Sequence, residues 1–309
     1  MHSFREFHLD EELPFPTDPF LYAETYVHGF DIGFAYQATR RLSLTLDIPV
    51  QDGRRTSYYE HDLTTLTEKH TMRASGVGDL RLLANIWIFD PDRHRNGNIS
   101  LGLGFKLPTG DYNAKDFSYR ANGPVLRPVD PAIQPGDGGL GIVTAISGFQ
   151  KLFKNTYAYL QGIYLINPRE LNGTQQPTGD EPDFTLGERG YIFNSVPDQY
   201  LGRAGLGYLL WPKMGLSLTL GARVEGVPVE DLVGGSDGWR NAGYALSIEP
   251  GLTVSKGNFS FTVTGPVALK RHADKNLTDL RVSRLLGADI GGNAAFADYL
   301  ITTSFSYGF

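Results

Sequence analysis

Residues 296–309, FADYLITTSFSYGF, alternate between large apolar and small polar side chains. Tyr, Ile and Phe dominate one parity of this segment, and Asp, Thr, Ser and Gly dominate the other. Successive side chains of a strand lie on opposite faces, so the pattern predicts a β-strand with one apolar face and an aromatic carboxyl terminus. Alternation alone does not tell whether the apolar face meets a protein core or lipid.

The composition favours a chain rich in β-structure and excludes several classes of protein. The 309 residues include 37 Gly, 16 Tyr and 18 Phe, whereas long helices would be rich in Ala, Leu, Glu and Lys. No apolar run reaches the roughly 18–20 residues that a membrane helix needs. Disulfides and thiolate metal sites are excluded because the chain has no cysteine. The net charge of −6 includes no basic block, so nucleic acid is not expected as a partner.

Eleven segments alternate in the same way, and short and long connections join them in turn. The short connections, which are rich in polar and turn-forming residues, are 39–41, 90–97, 154–155, 212–213 and 256–258. The long connections cover about 52–77, 109–138, 168–198, 228–240 and 271–295. Barrels of bacterial outer membranes have short periplasmic turns and long outer loops. We therefore predict a transmembrane antiparallel β-barrel of about 12 strands, in which residues 1–309 form one domain in the outer membrane of a Gram-negative bacterium.

The beginning of the chain does not follow this alternation of strands with short and long connections. The strand expected at residues 30–38 runs towards the periplasm, so another strand should precede it. Residues 1–20 contain only a fragment of a strand, at 3–9, followed by a loop rich in proline, and they show no signal-peptide pattern. We therefore expect the first strand to be truncated or missing and the natural beginning of the protein to lie upstream.

The facing of the strands distinguishes a soluble barrel from a membrane barrel. A soluble sandwich or a lipocalin would turn the apolar face inward, whereas a barrel in a membrane turns it towards lipid. The chain length, the alternating connections and a set of aromatic residues near strand ends favour the membrane barrel. These aromatic residues are Tyr200, Tyr208, Trp211, Tyr244, Tyr307 and Phe309. The segments 140–153 and 156–167 are ambiguous, and their facing is left open.

An inward polar face would leave the lumen lined by small residues, with room for water or solute. Ten charged residues would then point inward and form candidates for a constriction: Asp47, Asp79, Arg81, Lys106, Arg203, Arg223, Glu225, Glu249, Lys270 and Asp298. One interpretation is an electrostatic filter that selects among small solutes. The other is that these charges pair across neighbouring strands, such as Asp79 with Lys106 or Lys270 with Asp298, and only stabilise the polar interior.

The sequence indicates no catalytic, cofactor or metal site. None of the seven histidines lies in an HExxH motif, and no GxSxG motif is present, so we do not expect an enzyme. Aspartates in three Gly-rich loops are possible calcium ligands, although the same residues favour turns without metal. These loops are GDGG at 136–139, TGDEPD at 178–183 and VEDLVGGSDG at 229–238.

Several stretches resemble an outer-membrane, transporter-like family labelled for the meta-pathway of phenol degradation. They are GVGDLRLLANIWIFDP (76–91), LGLGFKLPTGDY (101–112), VDPAIQPGDGG (129–139), YLINPRELNG (164–173), SVPDQYL (195–201), EGVPVEDLVGGSDG (225–238) and AAFADYLI (294–301). The resemblance covers about residues 30–309, and the pairing of GDL with LPTGD is its most specific part. It implies an outer-membrane β-barrel with a part in the uptake of small aromatic or other hydrophobic compounds.

Together, these patterns predict a porin-like channel for the passive uptake of small solutes, with membrane lipid and those solutes as its partners and no cofactor. The lining of small residues favours this hypothesis. The alternative is a non-conducting barrel at the cell surface, whose long Asp- and Gly-rich loops bind a partner or have a structural role.

Overall fold

The computed structural model describes residues 2–7, 24–57, 68–120, 123–175, 193–289 and 296–308. Strands dominate these residues, and none of their helices combines the length and the apolar character needed to span a membrane. The strands in the described ranges are β1 His2–Phe7, β2 Glu24–Gln37, β3 Leu42–Ser57, β4 His70–Val77, β5 Arg81–Trp87, β6 Gly97–Lys106, β7 Lys115–Arg120, β8 Gly123–Pro128, β9 Gly141–Lys151, β10 Thr156–Ile166, β11 Leu171–Gln175, β12 Phe193–Ser195, β13 Gln199–Trp211, β14 Leu216–Val227, β15 Gly243–Lys256, β16 Phe259–Thr264, β17 Val267–Ala273 and β18 Tyr299–Tyr307. Within the same ranges, an α-helix, α1 Leu277–Leu286, precedes β18.

Fourteen of these strands form one antiparallel sheet in which sequence neighbours are mostly sheet neighbours. Two long strands each pair with two shorter ones: β3 pairs with β4 and β5 in turn, and β15 pairs with β17 and β16. The pairs β4–β5 and β16–β17 are therefore two interrupted strands. Counted in this way, the described part of the sheet has about twelve strand positions, which confirms the number predicted from the sequence.

The first strand is short but present. Strand β1 has six residues and pairs antiparallel with both β2 and β18. On its β18 side, the register places His2 opposite Thr302 and Arg5 opposite Tyr299. Because β18 also pairs with β16, this pairing completes a ring of hydrogen-bonded neighbours. Of the two alternatives for the first strand, a short one is thus observed, and a missing one is wrong.

The short connections lie at one end of the sheet, here called the turn end, and the long ones lie at the other, the loop end. The described loop-end segments contain two small hairpin-like pairs, β7–β8 and β11–β12, and the helix α1. One predicted boundary is wrong, since residues 52–57 and 70–77 extend the barrel wall as strand rather than forming a loop. The β3–β4 ladder pairs these residues continuously, from Val50 opposite Val77 to Ser57 opposite His70.

The apolar face of the strands points outward. In β6, Ile99, Leu101 and Leu103 are 40–60% exposed, whereas Ser100 and Lys106 are 5% and 2% exposed. A soluble barrel would show the opposite pattern, because each Å² of apolar surface left in water costs about 25 cal/mol. Within a membrane, a closed ring also satisfies the backbone hydrogen bonds of every strand. The predicted inversion, with the polar face inside, is therefore confirmed.

The small apolar core lies at the loop end, where the long β6–β9 connection folds against the wall. It contains Met72 and Ala74 from β4 together with Val129 and Ile133 from the connection. Gln51, on the inward parity of β3, donates hydrogen bonds from its Nε2 to the carbonyl oxygens of residues 133 and 134 at 3.1 and 2.7 Å. The connection is thus packed on the inner face of β3 and β4, where it narrows the loop end of the lumen.

Candidate functional site

Four charged side chains from β13, β14 and β15 form a continuous network on the inner wall. Arg203 and Arg223 lie directly opposite each other in the β13–β14 ladder. Glu249 accepts hydrogen bonds from both, at 3.1 Å from Arg203 Nη1 and 3.4 Å from Arg223 Nη1. Arg223 Nη2 also donates to Glu225 at 2.6 Å, and Arg203 Nε donates to Gln161 Oε1 at 2.6 Å. We call these five residues the arginine–glutamate network.

The network has no net formal charge, yet its members meet the lumen unequally. Like charges directly opposite each other destabilise a sheet, and the bridging carboxylate of Glu249 offsets that repulsion. The side chains of Glu249 and Arg223 are 3% and 10% exposed, so they are largely buried in the inner wall. Arg203 and Glu225 are 31% and 30% exposed. A solute passing this wall would therefore meet one cation and one anion, supported by a buried pair.

Tyr157 and Tyr159 lie on the turn-end side of this network, and their rings cover glycines of the neighbouring strands. A Cβ at Gly207 would stand 2.2 Å from Cζ of Tyr157, and Cβ atoms at Gly205 and Gly221 would stand 2.8 and 2.4 Å from Oη of Tyr159. The two rings thus occupy the space that side chains at these glycines would need. This packing resembles the covering of strand glycines by aromatic residues in designed sheets. It also brings Tyr159 beside Glu249, which is the register partner of Gly221.

Two further aromatic residues continue this surface around the inner wall. Phe149 is the register partner of Tyr159, and its ring meets that of Trp87 edge to face at 6.1 Å. Trp87 shares its parity with the inward residue Ser100, its partner in β6. We call Trp87, Phe149, Tyr157 and Tyr159 the aromatic strip.

The sequence did not predict the aromatic strip, because both parities of residues 156–166 contain large apolar side chains. The next strand of the sheet contains the pattern that could have decided which face of residues 156–166 points inward. Glycine occupies alternate positions 205 and 207 there, where a neighbouring ring needs space.

A second charged cluster, the buried lysine cluster, joins the wall to the β6–β9 connection. It consists of Asp79 at the break between β4 and β5, Lys106 at the end of β6, and Asp137 in the connection. Lys106 Nζ lies 3.4 Å from the Asp79 carboxylate and also forms an ion pair with Asp137. Asp79 further accepts hydrogen bonds from the backbone N–H groups of Gly110 and Asp137 at 2.9 and 3.2 Å. The predicted pairing of Asp79 with Lys106 is confirmed, whereas Asp137 was not predicted to join it.

The GDL and LPTGD stretches are the two halves of this junction. Thr109 Oγ1 donates to the carbonyl oxygen of Gly78 and accepts from the backbone N–H of Leu80, both at 2.9 Å. Gly110 and Gly136 pack backbone against backbone, and a Cβ on either would lie 2.6–2.8 Å from atoms of the other. The two glycines are required because any side chain would push the connection away from the wall.

Burial raises the pKa of the Asp137 carboxyl above its ordinary value of 3.8, and the nearby Asp79 adds to the effect while Lys106 opposes it. The buried carboxylate of Asp79 and the partly buried carboxylate of Asp137 thus share one lysine. Because the folded chain binds this proton more tightly than the unfolded chain, protonation of Asp137 stabilises the fold. The stability is present at low pH and is lost as pH rises from the ordinary carboxyl range through the raised pKa.

We therefore expect the stability of the wild type, relative to the Asp137→Asn variant, to fall as pH rises above about 4. The asparagine cannot ionise, and titrating groups remote from the buried lysine cluster cancel in the comparison. Urea unfolding of both proteins in the same lipid vesicles, over a series of pH values, measures this difference. A difference in stability that stays constant with pH would contradict the shared-lysine arrangement.

The remaining candidates near this cluster occupy one inward row. Asp47 is the register partner of Arg81, and Arg81 is in turn the partner of Lys106. Four strands, β6, β9, β10 and β13, lie between β5 and β14 on one side of the ring. Six strand positions, from β15 to β3, lie between them on the other. The row of Asp47, Arg81 and Lys106 therefore lies across the lumen from the arginine–glutamate network. The charged residues do not form one continuous ring.

The predicted inward position of Lys270 is wrong. Leu269 is an extra residue between the paired positions of β15 and β17, so the ladder contains a bulge there. Lys270 becomes the partner of the outward residue Leu246 and lies on the outward face. Arg271 takes the inward position and forms the ion pair with Asp298 that the sequence assigned to Lys270. A single inserted residue reverses every facing beyond it, and periodicity counted from one side of the bulge cannot detect this.

The aspartates of two Gly-rich loops are already paired with cations. Asp137 contacts Lys106, and Asp231 lies 2.7 Å from Arg240 with both side chains fully buried. Asp231 also accepts the backbone N–H of Asp198 at 2.8 Å, which ties the β14–β15 connection to the start of β13. This arrangement fits a structural role for these carboxylates and leaves the calcium hypothesis without support at both loops. The third loop, residues 178–183, lies outside the described residues.

Comparison with known proteins supports the fold but no specific family. No family model and no curated protein matches the sequence. A crystal structure of an outer-membrane channel from Pseudomonas putida F1 is similar, with a TM-score of 0.59 and 14% identity over 100% of this chain and 92% of that chain. A FadL homologue from Pseudomonas aeruginosa has a TM-score of 0.39 and 8% identity over 93% and 68% of the two chains, which is too weak to carry an argument.

At such low identity, the likeness to the Pseudomonas putida channel concerns the fold alone, and it gives no support to the label for phenol degradation. The ring of antiparallel strands, the short turns at one end and the apolar outer face are the features of bacterial outer-membrane barrels. The chain therefore has the fold of a bacterial outer-membrane β-barrel, as the sequence predicted.

Proposed function

We propose that the barrel is a channel for the passive diffusion of small solutes, including aromatic compounds, across the outer membrane. The observation that carries this proposal is the aromatic strip beside the arginine–glutamate network on the inner wall. The ring of Phe149 is 38% exposed, and the other three rings of the strip are partly exposed, so the strip offers a surface on which a solute ring can stack. The neighbouring Arg203 and Glu225 offer one cation and one anion for a polar substituent.

Such a wall suits conduction rather than tight binding. Aromatic pairs contribute only about 0.5–1.5 kcal/mol beyond the area that they bury, so a solute on the strip is held weakly. A channel requires binding that is favourable enough to admit a solute and weak enough to release it. The strip lies towards the turn end from the network, so a solute that has passed the charged groups meets the rings before it leaves.

Phenol is a suitable probe for this proposal because it combines one aromatic ring with one polar substituent, and glucose provides a non-aromatic control. In planar bilayers containing the full chain, we expect ion conductance above background and a reduction of that current by phenol but not by glucose. In the double variant Tyr157→Ser with Tyr159→Ser, the phenol effect should fall severalfold because two stacking surfaces are lost, each worth about 1 kcal/mol.

The matched control is Tyr157→Phe with Tyr159→Phe, which keeps both rings and should keep the phenol effect. Equal reduction of the current in the serine variant and the wild type would contradict a role for the strip. Folding of each variant is checked by the shift in gel mobility on heating that folded barrels show.

A second candidate function is favoured by the packing at the loop end. The core around Met72 and Ile133 and the buried pair of Asp231 with Arg240 give the described loops a defined structure. A barrel closed by such loops would present them to a partner at the cell surface. The absence of conductance from folded full-length protein would support this second function and overturn the channel.

A further inference from the structure

Two arginines lie side by side on the outward face near the loop end. Arg54 of β3 and Arg73 of β4 are register partners, and both are exposed. The guanidinium carbon of Arg54 lies 4.6 Å from the centre of the ring of Tyr26, which is the register partner of Arg54 in β2. The ring holds one guanidinium group in place by a cation–π contact beside the other arginine.

The position of this pair relative to the membrane follows from the outward apolar residues of β3 and β4 on its turn-end side. Leu44 and Val77 mark the outward apolar face of this part of the wall, 45% and 50% exposed. Val77 is the register partner of Val50, four residues from Arg54 towards the turn end. An apolar band about 25 Å tall is spanned by roughly 9–11 residues of a tilted strand, so a band that begins at Leu42 ends near Val50. The arginines therefore lie just beyond the hydrocarbon, at the level of lipid headgroups.

Within the described part of the chain, neither guanidinium group of this pair forms an ion pair. Asp52 shares the outward face of β3 but forms no ion pair with Arg54. Asp116 accepts the backbone N–H of Arg73 at 2.8 Å and that of Phe117 at 2.8 Å, and it forms no ion pair with the Arg73 guanidinium. Two like charges directly opposite each other destabilise the ladder unless an anion bridges them.

We propose that Arg54 and Arg73, with Tyr26 beside them, bind a phosphate group of a phosphorylated glycolipid in the outer leaflet of the outer membrane. Arginine presents a planar fork of donors that matches phosphate oxygens, and two forks side by side can hold one phosphate between them. The lipid is the occupant because the pair continues the lipid-facing surface of the wall and faces away from the lumen. Its acyl chains would then lie on the apolar face of β3 and β4.

The test uses the purified full chain in neutral detergent and measures the binding of diphosphoryl lipid A by native mass spectrometry. The double variant Arg54→Gln with Arg73→Gln should bind about tenfold or more weakly, because both charge-assisted contacts are removed. The variant Arg54→Lys with Arg73→Lys should lie between the two, since an ammonium group keeps the charge but lacks the fork. Both side chains are exposed, so the barrel should fold in each case, as heat-shifted gel mobility will verify.

The matched control is Arg40→Gln with Lys213→Gln, which removes the same charge at the turn end and should leave binding unchanged. Dephosphorylated lipid A should bind the wild type about as weakly as the phosphorylated lipid binds the glutamine variant. Equal binding by the glutamine variant and the wild type would overturn the proposal. Loss of lipid A binding in the presence of inorganic phosphate would assign the site to free phosphate and overturn the choice of lipid.

Discussion

Replacing Glu249 with Gln is expected to destabilise the barrel by about 3 kcal/mol and to shift the ion selectivity of the lumen towards anions. The carboxylate of Glu249 is 3% exposed and bridges Arg203 and Arg223, which lie directly opposite each other. Without its charge, the two guanidinium groups repel each other across the ladder, and Arg223 is too buried for water to compensate. The wall also gains one net positive charge, which attracts anions.

Two measurements check this prediction: urea unfolding in lipid vesicles for stability, and the reversal potential in a salt gradient for selectivity. Glu225→Gln serves as the control, because its side chain is 30% exposed and bridges no second arginine, so its loss of stability should be smaller. Arg203→Ala combined with Arg223→Ala should shift selectivity in the opposite direction, towards cations. Unchanged reversal potentials in both variants would mean that the network only stabilises the wall.

Replacing Lys106 with Met is expected to cost about 3–5 kcal/mol, because it leaves the buried carboxylate of Asp79 and the partly buried carboxylate of Asp137 without their cation. The lysine is 2% exposed, and methionine fills most of its volume without supplying charge. Part of the loss should appear as faster amide hydrogen exchange in residues 107–140. Asp137 belongs to that connection and holds it to the wall through Lys106.

The double variant Lys106→Met with Asp137→Asn distinguishes the effect of the unpaired carboxylates from the effect of changed packing at position 106. It removes one of the two unpaired carboxylates, so it should recover part of the stability lost in the single variant. Urea unfolding and hydrogen exchange of the wild type and both variants, in the same vesicles and at the same pH, measure this. If the second substitution lowers stability further, the cost lies in packing and not in the uncompensated charge.

The sequence also located most of the residues that form these clusters. Arg203, Arg223, Glu225 and Glu249 were predicted to point inward, and the structure brings them together. Their parity relative to an apolar face is visible along each strand, so the facing of a charge is a local property. The identity of its partner is not local, because the relative register of neighbouring strands sets it. Thus Asp79 and Lys106 were correctly paired, whereas Asp298 was given the wrong partner.

Several features were invisible to periodicity for the same reason. The aromatic strip depends on glycines in β13 and β14 that make room for rings from β10, and only the pairing of these strands shows it. Asp137 lies in a long connection without repeating pattern, and its contact with Lys106 arises because the connection folds back along the inner wall. The outward pair of Arg54 and Arg73 also requires the β3–β4 register, since both residues fell in a predicted loop.

For this protein, the sequence by itself determined the approximate number of strands, the alternation of short and long connections and, for most strands, the face that meets lipid. These properties follow from the geometry of single strands and from the cost of placing polar groups in hydrocarbon, which act within a few residues. Only the tertiary structure decided how the ring closes through the short β1, where the bulge at Leu269 reverses the facing, and which charges and rings meet on the inner wall. The reason is that strand register and loop packing join residues far apart in the chain, and alternation along one strand carries no information about either.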